Sequence, residues 1–228
     1  CLLTLGLRAL GAEVYPFIPN RFGEGYGLSH EALQRLMKAT TPDLIITVDN
    51  GIAAAQKVDA LKAEGIDVAI TDHHEPGDEV PNGVPVADPK LSEGCPSRDL
   101  AGAGVALKLV QMLGERVGKP ELWRHYTMLA TLGTISDMMD LSPENRALVA
   151  DGIKRLPETD RPGIVALAEQ CKVPLTELTA DNLPFTLIPR LNAAGRMGAP
   201  DTAFQLLLTD DPAEATKLAE QIEQINQD

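Results

Sequence analysis

The stretch VAITDHHEPGD, residues 68–78, opens as an apolar strand and runs into Asp72, His73 and His74, in a chain with only four histidines. A turn requires no such grouping. Carboxylate beside imidazole suits manganese, iron or zinc better than calcium. A second apolar run, LIITVD, also closes on an acid, Asp49. A third, LATLGTISDMMDL, holds Asp137 in apolar company, which costs several kcal/mol unless the acid is paired or bound to a cation. A carboxylate can bridge two cations, and two metals roughly 3.5–4 Å apart form a clamp for in-line displacement at phosphorus. Each residue also has a plainer reading: Asp49-Asn50-Gly51 as a turn, Asp72 and Asp137 as helix caps, and the histidines as a polar strand end.

The elements around these residues decide whether they can meet. Residues 43–51 and 66–72 are β-branched apolar runs of buried-strand type, joined by IAAAQKVDALKAEG, which has helical periodicity and ends on Gly65. This is a βαβ unit, so its strands are predicted parallel with a right-handed crossover. Parallel strands carry their carboxyl ends on one edge, where α/β proteins bind ligands. Neighbouring strands lie roughly 4.8 Å apart, so Asp49, Asp72, His73 and His74 are expected to converge. Further strands are predicted at 12–18 and 83–88, and a helix over 30–39 behind the N-cap Ser29. The fold class is therefore α/β, an open and mainly parallel sheet with helices on both faces.

After residue 100 the pattern turns helical, with helices predicted at 101–116, 121–133, 143–156, 162–171, 180–188, 201–208 and 212–228. Ser142-Pro143 fits an N-cap followed by proline at the first helical position. LAGAGVALKL follows no clear strand, so Gly102 and Gly104 read as close helix packing rather than a nucleotide loop. The first residues read as the second half of a helix and the last as a helix cut short, so a longer parent chain is expected.

The formal charge is −13, which argues against a broad nucleic-acid surface but permits a local cationic groove or bound metals. Apolar residues make up 44% of the chain, and no apolar run approaches the roughly 20 residues that span a membrane. Three scattered cysteines, Cys1, Cys95 and Cys171, fit neither a disulfide framework nor a zinc ribbon, and a reducing cytoplasm is the expected setting.

VDNG, TDHH and LGTISDMMDL resemble successive motifs of the DHH phosphoesterase superfamily, named for its Asp-His-His run. PNRFGEGYGLS at 19–29 and PRLNAAGRMG at 189–198 narrow the resemblance to its RecJ branch, exonucleases specific for single-stranded DNA. The resemblance implies a parent enzyme of DNA repair and recombination that uses Mn2+ or Mg2+ to release mononucleotides from the 5′ end. It implies Asp49 as the carboxylate bridging two metals, His73 and Asp137 as further ligands, His74 near the reacting phosphate, and Asp72 as its support. Arg190, Arg196 and Asn192 match the arginine motif, where substrate phosphate is contacted. Arg21 matches the arginine of the first loop that holds DNA. By the same resemblance, a single-stranded-DNA-binding protein and a helicase are expected partners.

The chain departs from the pattern in three places. The family's first aspartate motif and its C-terminal nucleic-acid-binding domain are both absent from these residues, so the fragment alone is expected to be inactive or nearly so. Met138-Met139-Asp140 replaces the usual apolar-proline ending of the fourth motif. The expected division is a DHH α/β domain at 1–150, a helical part with the arginine motif at 151–210, and the start of a connecting helix at 211–228. Two other readings remain: a DHH phosphodiesterase for short oligonucleotides or cyclic dinucleotides, and a non-catalytic replication scaffold of the same fold.

Overall fold

The computed structural model of the chain describes residues 1–20, 23–25 and 27–227. Its elements in order are α1 (Leu2–Ala9), α2 (His30–Ala39), β1 (Leu44–Val48), α3 (Ala55–Ala63), β2 (Asp67–Thr71), β3 (Val86–Ala87), α4 (Gly102–Arg116), α5 (Thr127–Ser136), α6 (Pro143–Arg155), α7 (Pro162–Cys171), α8 (Leu187–Arg196), α9 (Pro200–Leu208) and α10 (Pro212–Gln227). Short 3-10 turns join several of them.

Among the described residues the strands form one parallel sheet in the order β1-β2-β3. The register pairs Val48 with Thr71 and Thr71 with Ala87. Asp49, Asp72 and Asp88 therefore follow directly on three neighbouring strands. The sheet's faces separate by residue parity, as a period of two requires. Val68, Ile70 and Ile45 join Val58 and Leu61 of α3 and Leu33 of α2 in one apolar cluster. Ile46 and Val48 face the other way, into the larger core with α4 and α5. Both faces are thus covered by helices.

The larger core reaches from Leu2 of α1 to Ile222 of α10. At its centre α5 is buried nearly all round, from Thr127 to Leu132 and at Thr134. Two glycines set how closely its neighbours approach. A Cβ on Gly133 would stand 2.5 Å from the Cβ of Ala103, which fixes α5 tightly on α4. A Cβ on Gly152 of α6 would stand 2.0 Å from Thr131 Oγ1. No described helix is long and apolar enough to cross a membrane.

Three predicted elements differ. Residues 12–18 are not a strand. The carbonyls of Val14 and Ile18 are taken by the guanidinium groups of Arg8 (3.2 Å) and Arg35 (2.7 Å), and Pro16 has no N–H for a ladder. The helix expected at 180–188 is replaced by a 3-10 turn, Leu183–Phe185, with α8 starting at Leu187. Asn182 accounts for the delay. Its Oδ1 accepts the Thr179 N–H at 2.8 Å and its Nδ2 donates to the Glu177 carbonyl at 2.7 Å, a side-chain alternative to helical pairing. The helix expected at 121–133 is a 3-10 turn, Leu122–Tyr126, followed by α5, which runs to Ser136 and puts Asp137 at its C-cap.

The contact at Gly152 gives a stability test. Gly152→Ala gains about 1 kcal/mol of helix propensity and loses about 1–3 kcal/mol to overpacking. A net loss is expected in urea unfolding, relieved only in part by Thr131→Ala, because the Thr131 Cβ at 2.8 Å and the Thr127 carbonyl at 3.0 Å still oppose the new methyl. No loss of stability in Gly152→Ala would refute the clash.

Candidate metal centre

The carboxyl edge of the sheet gathers the acids and imidazoles. Asp49, the first residue past β1, sits at φ 64°. This left-handed conformation is one that Asp tolerates better than most residues, and it is often found at functional positions. Its side chain leans over the start of α4. A Cβ on Gly102 would lie 2.5 Å from Asp49 Oδ1 and 2.6 Å from its Cβ. The glycine that the sequence suggested for helix packing is thus the space that Asp49 occupies. Gly104 instead lies against the Leu100 side chain.

His73 is buried, and its Nε2 lies 2.9 Å from Asp49 Oδ1 and 3.3 Å from Asp137 Oδ2. Neither ring nitrogen makes an aligned hydrogen bond, so the approach to the carboxylates is electrostatic rather than a directed N–H···O bond. Two carboxylates from different elements crowd one buried imidazole nitrogen, as ligands do around a common cation. The donor atoms of Asp49, His73 and His74 also lie within 4.8 Å of one another. These residue types and this crowding fit a divalent metal of the manganese class.

Charge follows the same geometry. The Asp49 carboxylate raises His73 above the ordinary imidazole value, against burial, and Asp137 and Asp72 add to the rise. Burial raises the Asp137 carboxyl, with His73 opposing and Asp49 reinforcing. The C-cap position disfavours an anion further, because it is the negative end of the α5 dipole.

Asp72 is buried and organises the turn that follows β2. Its Oδ2 accepts the Ile52 N–H at 2.9 Å, and its Oδ1 accepts the N–H groups of His73 at 2.8 Å and His74 at 3.3 Å. Burial works to raise its carboxyl, but these bonds and the His74 ring outweigh it and hold the group below its usual range. His74 Nδ1 lies 2.7 Å from Asp72 Oδ1. A carboxylate only accepts, so this nitrogen carries the proton and Nε2 is turned away from Asp72.

A cleft of about 470 Å³ opens beside the edge, lined by Asp49, Gly102, Asp137, Asn192 and Arg196 among others. Asn192 Oδ1 accepts a hydrogen bond from Ser136 Oγ at 3.1 Å, tying α8 to the residue before Asp137. Arg190, for which the arginine motif led to an expectation of phosphate contact, lies outside the lining of the cleft. Its Nε and Nη2 are held by Glu223 of α10, and its Nη1 donates to the Thr186 carbonyl at 3.0 Å. Six residues apart on one helix, Arg190 and Arg196 face different ways. Arg21 lies outside the described residues.

Two residues that the sequence left unmarked belong to the site's surroundings. Asp88 ends β3 as Asp49 and Asp72 end their strands; it is buried, Lys90 N–H binds its Oδ1 at 2.8 Å, and its Oδ2 has no hydrogen-bond partner. The signal was the apolar run GVPVAD, a third strand closing on an acid. Asn145 of α6 is fully buried. Its Nδ2 donates to the carbonyls of Asp99 at 2.7 Å and Asp140 at 2.8 Å, joining the loop before α4 to the loop after Asp137. No sequence pattern marks such a staple.

Comparison with known proteins bears on the family and the fold. A family model described as "DHH family, N-terminal domain" matches residues 1–134. The single-stranded-DNA-specific exonuclease RecJ of Bacillus subtilis is 42% identical over 97% of this chain and 28% of its own length. That of Thermus thermophilus is 41% identical over 99% of this chain and 33% of its length. The chain thus spans about a third of these relatives. A crystal structure of exonuclease RecJ bound to manganese superimposes with a TM-score of 0.90 at 41% identity, covering 99% of this chain and 57% of that one. RecJ from Thermus thermophilus in complex with Mn2+ gives a TM-score of 0.85 at 38% identity, over 99% of this chain and 32% of that one.

The raised His73 value carries a pH dependence. A proton on His73 stabilises the metal-free fold fully below the ordinary imidazole pKa, and that stability is lost as pH rises through the raised one. A metal competes with that proton. Mn2+ affinity is expected to rise with pH across this window, with a proton released on binding. Calorimetric titration in buffers of different ionisation enthalpy measures the release, and a binding heat independent of buffer would remove His73 from the ligand set. Gly102→Ala, by displacing Asp49, is expected to weaken Mn2+ at least about tenfold.

Proposed function

The chain belongs to the DHH family, and from that premise we propose that it is the phosphodiester-hydrolysing core of a RecJ-type exonuclease acting on single-stranded DNA from the 5′ end. The observation that carries this reading is His73 Nε2, crowded by Asp49 and Asp137 at the carboxyl edge of the sheet. We assign Asp49, His73 and Asp137 to hold Mn2+ or Mg2+, with Asp49 the bridge in a two-metal arrangement. A bound divalent cation supplies a Lewis acid for phosphoryl oxygen and a water ionised near neutral pH.

The chain's own residues then position the substrate. Arg196, at the end of α8 and on the cleft, offers a guanidinium fork matched to phosphate oxygens. Asn192 adds an amide beside it. Asp72 fixes the His74 ring through Nδ1, which leaves Nε2 to take up a proton and, once protonated, to donate to a phosphate oxygen bound at the edge. Arg190 serves the scaffold in this reading, as the fork that binds α8 to α10. The divisions at 1–150, 151–210 and 211–228 belong to the same proposal, as does a cytoplasmic setting, which the free cysteines support.

Asp49→Ala in the full-length gene product is expected to abolish nucleotide release from a 5′-phosphorylated single strand in Mn2+, with unfolding little changed. Retained turnover would reduce Asp49 to a turn residue, and faster cleavage of dinucleotides than of long strands would point to an oligonucleotide phosphodiesterase instead. The two arginines should separate. Arg196→Ala is expected to lower turnover or strand affinity and leave Mn2+ affinity nearly unchanged. Arg190→Ala is expected to cost about 1.5–3 kcal/mol of stability, the range for hydrogen bonds to charged groups. A stable Arg190→Ala variant with the catalytic defect of Arg196→Ala would overturn this assignment.

A further inference from the structure

The Asp-His-His run is followed at once by Glu75, whose exposed carboxylate is shared between two cations. Its Oε1 lies 3.4 Å from Lys90 Nζ and its Oε2 lies 3.9 Å from Arg98 Nη2. Fully engaged pairs of this type close to roughly 2.7–2.9 Å. Here one carboxylate spans two cations and satisfies neither. The cations themselves are held in place. Asp88 Oδ1 accepts the Lys90 N–H at 2.8 Å, capping the 3-10 turn that carries Lys90. Arg98 Nη1 donates to the Lys90 carbonyl at 3.3 Å. The Lys90 side chain is mostly buried and its charge reaches the metal edge, where it counters the burial-driven rise of both Asp137 and Asp88.

We propose that Lys90 and Arg98 form a phosphate subsite for a backbone phosphate of the single strand, beside the metal edge and separate from Arg196, with Glu75 as the anion that the phosphate displaces. This rests on the nuclease reading of the edge. A backbone phosphodiester carries the same single charge on two non-bridging oxygens, but its tetrahedral phosphorus sets them wider apart than a carboxylate does. It is also free to settle between the ammonium and the guanidinium that tethered Glu75 only approaches. Displacement is cheap: an exposed ion pair contributes about 0–1 kcal/mol, and the Glu75 side chain is 70% exposed. In a chain of net charge −13, two cations anchored beside the cluster of carboxylates offset locally the repulsion that a polyanion meets.

The test is binding of a phosphorothioate-linked oligothymidylate to the 228-residue chain in Mn2+, followed by fluorescence anisotropy over a range of salt. Each phosphate contact on a single strand contributes about 0.7 to the slope of log K against log salt. Lys90→Gln with Arg98→Gln is expected to reduce that slope by about 0.7, measured at saturating Mn2+ so that any change in metal affinity from losing the Lys90 charge does not enter. Glu75→Gln is expected to tighten binding more than Glu220→Gln, a control that removes the same charge from the exposed side of α10. An unchanged slope in the double variant, or equal gains from Glu75→Gln and Glu220→Gln, overturns the subsite and leaves the nuclease reading standing. A wild-type chain that does not bind the strand overturns the subsite, while the nuclease reading is judged separately on nucleotide release by the full-length gene product.

Discussion

Carboxylates crowded at one edge of a small sheet are the constraint around which the rest of this structure is arranged. Parallel pairing carries the ends of three neighbouring strands to the same side, and each strand is followed by an aspartate. Asp137 arrives from α5 at the unfavourable end of its dipole. Such a cluster repels itself in a medium of low dielectric, and the protein answers each acid differently. Asp72 is surrounded by N–H groups, Asp49 and Asp137 share one imidazole, and Asp88 caps a turn. What remains uncompensated is concentrated around His73.

Close approach between elements makes that arrangement possible. Gly102 leaves room for Asp49, Gly133 lets α5 settle on α4, and Asn145 holds the two loops that flank the cluster. These are packing conditions rather than chemistry, yet each sets where a chemical group stands. The link from Ser136 to Asn192 extends the same control to α8, so the arginine at the end of that helix keeps its position relative to the acids.

Much of this was legible in the sequence, and the failures have physical causes. Strand runs ending in Asp49 and Asp72 could be read because burial and alternation leave a strong pattern, and the short link between them required parallel pairing. The helices from α4 onward were visible for the same reason, apart from those where local side-chain bonds intervened. At 12–18 two arginines satisfy carbonyls that a strand would have paired, and at 180–188 Asn182 holds a turn. Arg190 and Arg196 look alike in the motif, and only the helical rotation between them, with Glu223 brought up from α10, separates their surroundings. Asp88 was visible as a third acid on a third strand, but two residues of strand gave little signal. Asn145 could not be found at all, because a buried amide becomes meaningful only when its two carbonyl partners are known.

Asp49, His73 and Asp137 are drawn from points spread over 89 positions of the chain and meet only when the sheet and α5 are both in place. In the denatured ensemble they are separate, weak donors. A ligand that requires all three is therefore linked to the folding equilibrium itself. By mass action, a free concentration one hundred times the dissociation constant deepens the native well by about 2.7 kcal/mol. That increment is a sizeable part of the marginal stability typical of a single domain. The edge of the sheet thus serves as a reporter of the union of sheet and α5, able to distinguish a chain in which the two are docked from one in which either has come away.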